Sequence, residues 1–327
     1  MRKTFVEETV LFISIIKWAV LAILTGIIVG LSTTVFLKAL GWSTLWAQSY
    51  HYYFLLLPIA LFLSSLMIKY LAPDAEGHGT EKVIEAIHKH WGKIKLAVVP
   101  VKLVATIVTI TAGGSAGKEG PSAQIGAGMA SALADLLKLT KEDRKKLVIC
   151  GISAGFAAVF GTPVAGALFA VEVLVLGKIM QDVLFPSLVS AILSVQIAKF
   201  FGLTYFHQSI HLSQFSQALF MEVLLSGLYF GLVALLLVET LKIAEKLVKK
   251  IKIWKPLKGL LGGSLLVVLA LFLSPRYLGL GLNTIESAIH GGHVPALAFV
   301  WKVLFTSITL SMGGSGGILT PVFFIGT

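Results

Sequence analysis

The chain repeats itself at an offset of about 200 residues, and this repeat constrains the fold more than any other feature. Lys102, Thr106 and Thr109 fall on Lys302, Thr306 and Thr309. Gly113-Gly114-Ser115 falls on Gly313-Gly314-Ser315, and Gly117, Pro121, Ile125 and Gly126 fall on Gly317, Pro321, Ile325 and Gly326. At a shift of 202, Gly77-x-Gly79 meets Gly279-x-Gly281 and Ala86-Ile87-His88 meets Ala288-Ile289-His290. Gly26/Gly30 meets Gly227/Gly231. Two glycine-rich loops, two lysines and a proline do not line up at nearly one offset by chance.

Composition states the solvent in which the repeat folds. Of the 327 residues 56% are hydrophobic and 13% charged, with a mean hydropathy of +0.90. A soluble domain carries roughly 25% charged residues, so lipid must cover much of this surface. Trp18–Leu37 and Leu147–Val171 are 20 and 25 residues without a charge, each long enough for a membrane-spanning helix. The net charge of +11 does not point to nucleic acid, because the lysines sit at the ends of apolar runs. The dense basic loops, Lys138–Lys146 and Lys242–Lys258, are placed inside, and Tyr205–Gln217, which has no Lys or Arg, outside. The lone Cys150 excludes a disulfide framework. The apolar segment after Met1-Arg2-Lys3 lacks a small-residue cleavage site and reads as a retained first span.

This orientation predicts spans over residues 12–40, 52–71, 95–112, 120–138, 143–158, 162–175, 180–202, 218–250, 256–274 and 294–312. A short segment lies at 79–90, and a last helix starts near 318. Several are too short for a full crossing, so broken and re-entrant helices are expected. An odd number of crossings separates the two copies, which then point in opposite directions. The fold class is therefore all-α and membrane-embedded, with an inverted-topology repeat. The first repeat is assigned to residues 1–203 and the second to 204–327. The first copy continues well past Gly126 while the second stops just after Gly326, so the second is expected to lack roughly 75 residues.

Three segments combine glycines with a helix start: Gly77-His78-Gly79-Thr80-Glu81, Gly117-Lys118-Glu119-Gly120-Pro121 and Gly317-Ile318-Leu319-Thr320-Pro321. Proline suits a first helical turn, and glycine permits tight turns and close backbone approach. The unpaired amides and the positive dipole end then attract an anion without a full countercharge, holding it weakly enough to leave. Glycines also permit close helix packing, which is the reading preferred for Gly26/Gly30 and Gly227/Gly231. Glu119 is the sharpest residue. A carboxylate at a helix start in apolar surroundings is costly. It competes with an anion for the same amides, and protonation removes its charge and frees them. The other reading is an ordinary N-cap. Lys118, Lys102 and Lys302 raise the positive potential along such a path, or snorkel and pair locally.

Enzymatic readings fit less well. Ala112 and Glu119 break the phosphate-loop spacing around Gly117-Lys118. His88, His90, His290 and His293 show no zinc spacing, and no nucleophile elbow or HExxH is present. No enzyme activity, cofactor or metal is expected.

GKEGP at 117–121 resembles the GREGP motif of the CLC chloride channel and antiporter family. GGILTP at 316–321 resembles its GxFxP motif, and GHGTE at 77–81 occupies the place of its GSGIP motif. Phe160-Gly161-Thr162-Pro163-Val164-Ala165-Gly166 is similar to a further family segment. The resemblance implies chloride transport, passive or in exchange for protons, by homodimers with one pore per subunit, in the cell's inner membrane. It implies that Glu119 is the gating glutamate. It also implies that the amides of Ile318 and Leu319 hold a central anion, and those of Lys118, Glu119, Gly120, Leu319 and Thr320 an outer one. Gly77, His78, Gly79, Thr80, Gly117, Pro121 and Gly317 complete the expected anion-binding set. His78 replaces the family's central serine and Leu319 its usual phenylalanine. Val173 stands where proton-coupled members often carry a glutamate. With the central hydroxyl absent, a fluoride or nitrate exporter is the alternative, as is a receptor or assembly protein on a transporter fold.

Overall fold

The computed structural model describes residues 2–174, 181–205 and 216–327, with side-chain surroundings for 12–172, 182–205 and 216–327. These residues are almost wholly helical. The first half contains α1 (Arg2–Gln48), α2 (Leu57–Leu71), α3 (Thr80–His90), α4 (Val98–Thr111), α5 (Glu119–Leu136), α6 (Lys141–Phe160), α7 (Pro163–Leu174) and α8 (Gln181–Phe200). The second contains α9 (Gln217–Lys250), α10 (Lys255–Phe272), α11 (Leu282–Ile289), α12 (Ala298–Ser311) and α13 (Leu319–Gly326). The expected spans are recovered with small differences at their ends. The first runs on to Gln48, and the second begins as a 3₁₀ turn over Tyr53–Leu56. Helix α11 was not anticipated, although the 202-residue shift places it opposite α3.

Local chemistry sets the helix ends. Thr140 Oγ1 accepts the amide of Asp143 at 3.2 Å to open α6, and Gly161, at φ 72°, closes it. Ser216 Oγ accepts the amide of Leu219 at 3.1 Å to open α9. Among the described residues five helices are long and apolar enough to cross a bilayer: the apolar parts of α1, α2, α8, α9 and α10. By contrast α4 and α12, at 14 residues each, extend about 21 Å, short of a hydrocarbon core of about 30 Å. Neither is long enough to cross by itself, in keeping with the broken helices expected from sequence. Leu224, Leu228, Leu232 and Leu235 of α9 are exposed, a surface suited to lipid rather than water.

Small residues let the helices approach closely. A Cβ built on Gly26 would lie 2.7 Å from the Ser190 carbonyl oxygen, and one on Gly30 would lie 3.0 Å from Ile197, so this pair seats α1 on α8 as expected. Gly227 and Gly231 face open space among the described residues, so the packing reading finds no partner there. The tightest seam joins α5 to α6: a Cβ on Gly126 would lie 2.2 Å from the Gly151 oxygen, and one on Gly151 2.4 Å from the Gly126 oxygen.

The basic segments gather at one end. Gly92 packs against Lys145, and Lys82 of α3 shares a cavity with Lys249, Lys255 and Lys258. Both loops placed inside therefore lie on one face. Of the segment placed outside, residues 206–215 lie outside the described residues. Gly151→Ala should destabilise the protein by about 1–3 kcal/mol, because the added methyl meets backbone. Gly227→Ala, with space around it, should be neutral or slightly stabilising; thermal unfolding in detergent compares the two.

Candidate functional site

The two glycine loops meet at the centre of the molecule, and their backbone bridge and serine–threonine bonds recur with the halves exchanged. Gly117 N–H donates to the Gly317 oxygen at 2.6 Å, and Gly317 N–H to the Gly117 oxygen at 2.7 Å, an antiparallel bridge. Ser115 N–H donates to Thr309 Oγ1 and Ser315 N–H to Thr109 Oγ1, both at 3.0 Å. The hydroxyls of Ser115 and Thr306 lie 2.9 Å apart, those of Ser315 and Thr106 3.0 Å. Such reciprocity is the mark of a two-fold axis between oppositely running halves. Ser115, Ser315 and all four threonines are buried, so each hydroxyl satisfies a group that water cannot reach.

The lysines obey the same symmetry. Lys102 Nζ donates to the oxygens of Ala75 (3.1 Å) and Gly77 (2.7 Å), and Lys302 Nζ to those of Tyr277 (3.1 Å) and Gly279 (2.8 Å). Both are fully buried. Of the two readings made from sequence, local pairing describes their contacts. Each clamps the carbonyls of the loop preceding α3 or α11, and each leaves its charge inside the protein.

Helices α5 and α13 start beside this bridge, with Pro121 and Pro321 in their first turns as expected. Neither start is capped by a side chain of its own helix. Their first amides have no intrahelical partner. Into this junction points Glu119, 2% exposed. Its Oε2 accepts the amide of Thr320 at 3.2 Å, and its Oε1 accepts the Thr320 hydroxyl. The carboxylate thus bonds the helix start of the opposite half, which is not the geometry of an ordinary N-cap. A side chain at Gly117 would compete with this carboxylate: a Cβ would fall 2.4 Å from Glu119 Oε2 and 3.1 Å from the Thr320 nitrogen.

The third loop closes the junction. A Cβ on Gly120 would lie 2.0 Å from the His78 carbonyl oxygen, and one on Gly79, at φ 92°, 2.5 Å from the Gly120 oxygen. Thr80 opens α3 immediately behind it. Gly317 rests against the Gly120 amide, and a Cβ on it would fall 2.8 Å away. Ile318 and Leu319 form the start of α13, Ile318 packing beside Leu237 and Leu241 of α9. The loop at 117–121 therefore touches both of the other loops named from sequence. The side chain of Val173 lies outside the described residues.

Two cavities reach the junction from opposite ends. One, of about 770 Å³, is lined by Lys118, Glu119, Tyr205, Phe230 and Thr320 among others. The other, of about 490 Å³, opens among Lys249, Lys255 and Lys258 and reaches Gly77, His78 and Glu245. Phe230 and Glu245 lie about 22 Å apart along α9 at a rise of about 1.5 Å per residue, so the cavities lie at different depths. Lys118 also lines a further cavity of about 400 Å³. Sequence reasoning missed Glu245, whose carboxylate lies 3.8 Å from His78 Nε2. It sits among lysines on a long helix, and nothing local marks it.

Comparison with known proteins agrees with this architecture. The family model described as voltage gated chloride channel matches residues 59–327. The "Chloride/fluoride channel protein" of Pseudomonas syringae pv. tomato is 34% identical over 98% of this chain and 72% of its own length. The "H(+)/Cl(-) exchange transporter ClcA" of Citrobacter koseri is 28% identical over 94% of this chain and 69% of its own length. Among solved structures, a CLC-type fluoride/proton antiporter superposes with a TM-score of 0.90, at 29% identity, over 95% of this chain and 79% of its own. A slow cyanobacterial Cl⁻/H⁺ antiporter does so with a TM-score of 0.79, at 25% identity, over 94% and 76%. With its inverted halves, its bridged glycine loops and a family match across most of its length, the chain belongs to the voltage-gated chloride channel (CLC) family.

Proposed function

We propose that the chain carries small halide anions across the membrane along a path running from the inner cavity, past His78 and Glu119, to the outer one. The carrying observation is the Glu119 carboxylate seated on the Thr320 amide and hydroxyl. An acidic oxygen bound to a helix start marks a place where a halide would be held by the same donors. Carboxylate and anion then compete. When Glu119 is charged it occupies the donors; when it takes a proton its hold on them weakens and the anion enters. One side chain both gates anions and carries a proton, so anion and proton movement are linked.

In this reading the amides of Lys118, Glu119, Gly120, Ile318, Leu319 and Thr320 face the anion. Gly77, Gly79, Gly117, Pro121 and Gly317 let the backbones close around it, and Thr80 opens the third helix beside it. Residues 1–203 and 204–327 act as the two inverted repeats. The working unit is a homodimer in the cell's inner membrane.

Chloride is the anion expected from the motifs. Fluoride is a second reading, favoured by His78, which removes the hydroxyl expected at that position. The names of the Pseudomonas relative and of the fluoride/proton antiporter also favour it. Efflux from liposomes loaded with one halide or the other separates the two. A flux ratio above about 10, equivalent to about 1.4 kcal/mol, assigns the anion; equal fluxes reject selectivity.

Glu119→Gln keeps the shape and hydrogen-bonding capacity but cannot release a proton. Proton movement and the pH response of anion efflux should both be lost, and an unchanged pH response would remove Glu119 from this role. Lys118→Ala should lower anion efflux about fivefold, the rate equivalent of about 1 kcal/mol of lost electrostatic attraction. An unchanged rate would leave that lysine structural.

A further inference from the structure

The inner cavity ends on a titratable pair that the anion path does not by itself require. The His78 side chain is 10% exposed, its Nε2 lies 3.8 Å from Glu245 Oε1, and its buried Nδ1 has no hydrogen-bond partner among the described residues. Glu245, 43% exposed, stands in the cavity wall one helix away. A side chain filling space only would leave the imidazole's second nitrogen unpaired at a cost of about 1–3 kcal/mol. Ser, Ala or Gly at this place would avoid that cost.

His78 also reaches from the inner cavity to the backbone beside Glu119. Its ring lines the inner cavity, while its carbonyl abuts Gly120, the residue after Glu119. The charges around the ring oppose one another. Burial and the Lys102 ammonium, fixed on the Gly77 oxygen one residue away, disfavour an imidazolium, whereas Glu81 of α3 and Glu245 of α9 favour it. Farther out, Lys249 pairs with Glu245 at 3.5 Å and Lys255 with Glu76 at 2.5 Å, and Lys258 donates to the Val248 oxygen at 2.7 Å. The nearest rim cations are thus engaged, and Glu245 remains the acidic group closest to the ring. Burial outweighs the two carboxylates and holds the ring below the usual histidine range, so a proton taken up there is readily given up.

We propose that His78 and Glu245 form an inward-facing proton-binding station that passes protons between the inner cavity and the Glu119 carboxylate. The step balances as one proton in and one out. Glu245 takes a proton from the cavity and gives it to Nε2. The imidazolium releases the proton on Nδ1 to water in the path, and from there it reaches a Glu119 oxygen. Exchange of the ring tautomer resets the pair. The station rests on the reading of Glu119 given above and adds to it the inner source of the proton.

The test uses the full chain in proteoliposomes, with anion efflux and proton movement recorded together under an anion gradient. His78→Gln keeps a polar side chain without a titratable proton. It should lower the proton-to-anion ratio at least about tenfold, within the range for loss of a positioned acid–base group. Glu245→Gln should lower the ratio about threefold, and Glu245→Asp should restore it. Where His78→Gln yields no folded protein, the Glu245 pair decides alone, since that side chain is partly exposed on a long helix. A ratio unchanged within about twofold in the substituted proteins overturns the station. Anion efflux without proton movement in the unsubstituted protein also overturns it, while leaving the anion path intact. No anion efflux at all removes the path itself.

Discussion

A helix that stops inside a bilayer leaves backbone amides and carbonyls that lipid cannot satisfy, and everything at the centre of this molecule answers that constraint. Helices α4 and α12 both stop short, and the loops that follow them share the remedy. The Gly117–Gly317 bridge and the crossed serine–threonine bonds satisfy in each half the groups left by the other. Neither half closes alone. The two-fold arrangement is therefore a condition for burying this backbone at all.

Pairing uses up the amides nearest the axis and leaves those of the following helix starts. Glycine at 117, 120 and 317 keeps three backbones so close that no side chain fits between them. Among those donors the Thr320 amide, joined by the Thr320 hydroxyl, bonds one acceptor, the Glu119 carboxylate. An acceptor supplied by the chain can be exchanged for one supplied by solution at little net cost, because the donors are satisfied either way. The same close packing that stabilises the centre places this acceptor where the proposed exchange would occur.

Much of this was legible because the repeat is written in residues that have few substitutes at such places. Lys102 with Lys302, Pro121 with Pro321 and the paired glycines announced two inverted halves and named the three loops that meet. What stayed hidden has physical reasons. Helix α11 has eight residues, too few for its periodicity to stand out between Gly281 and Gly291. Thr106, Thr109, Ser115 and their mates were visible as repeat matches, yet a hydroxyl does not show in sequence whether it bonds its own helix or crosses an axis. Glu245 lies far from His78 in sequence, and only the packing of α9 over the loop at 77–79 brings them near. The match between Gly26/Gly30 and Gly227/Gly231 misled in one respect, since equivalent glycines need not meet equivalent neighbours.

The buried lysines complete the electrostatic argument. Carbonyl oxygens at 75, 77, 277 and 279 point into the protein beside the proposed anion path, and an array of such oxygens would repel an anion. Lys102 and Lys302 engage them pairwise, each Nζ donating to two carbonyl oxygens behind its loop. An ammonium buried with only two neutral partners costs more than a surface one, so stability alone does not explain two of them. On the proposed path they would stand behind the donors that meet the anion and draw it inward without touching it. Direct contact with a lysine would hold the ion too tightly for release, whereas a charge screened by its own carbonyl partners lowers the entry barrier and leaves the ion mobile.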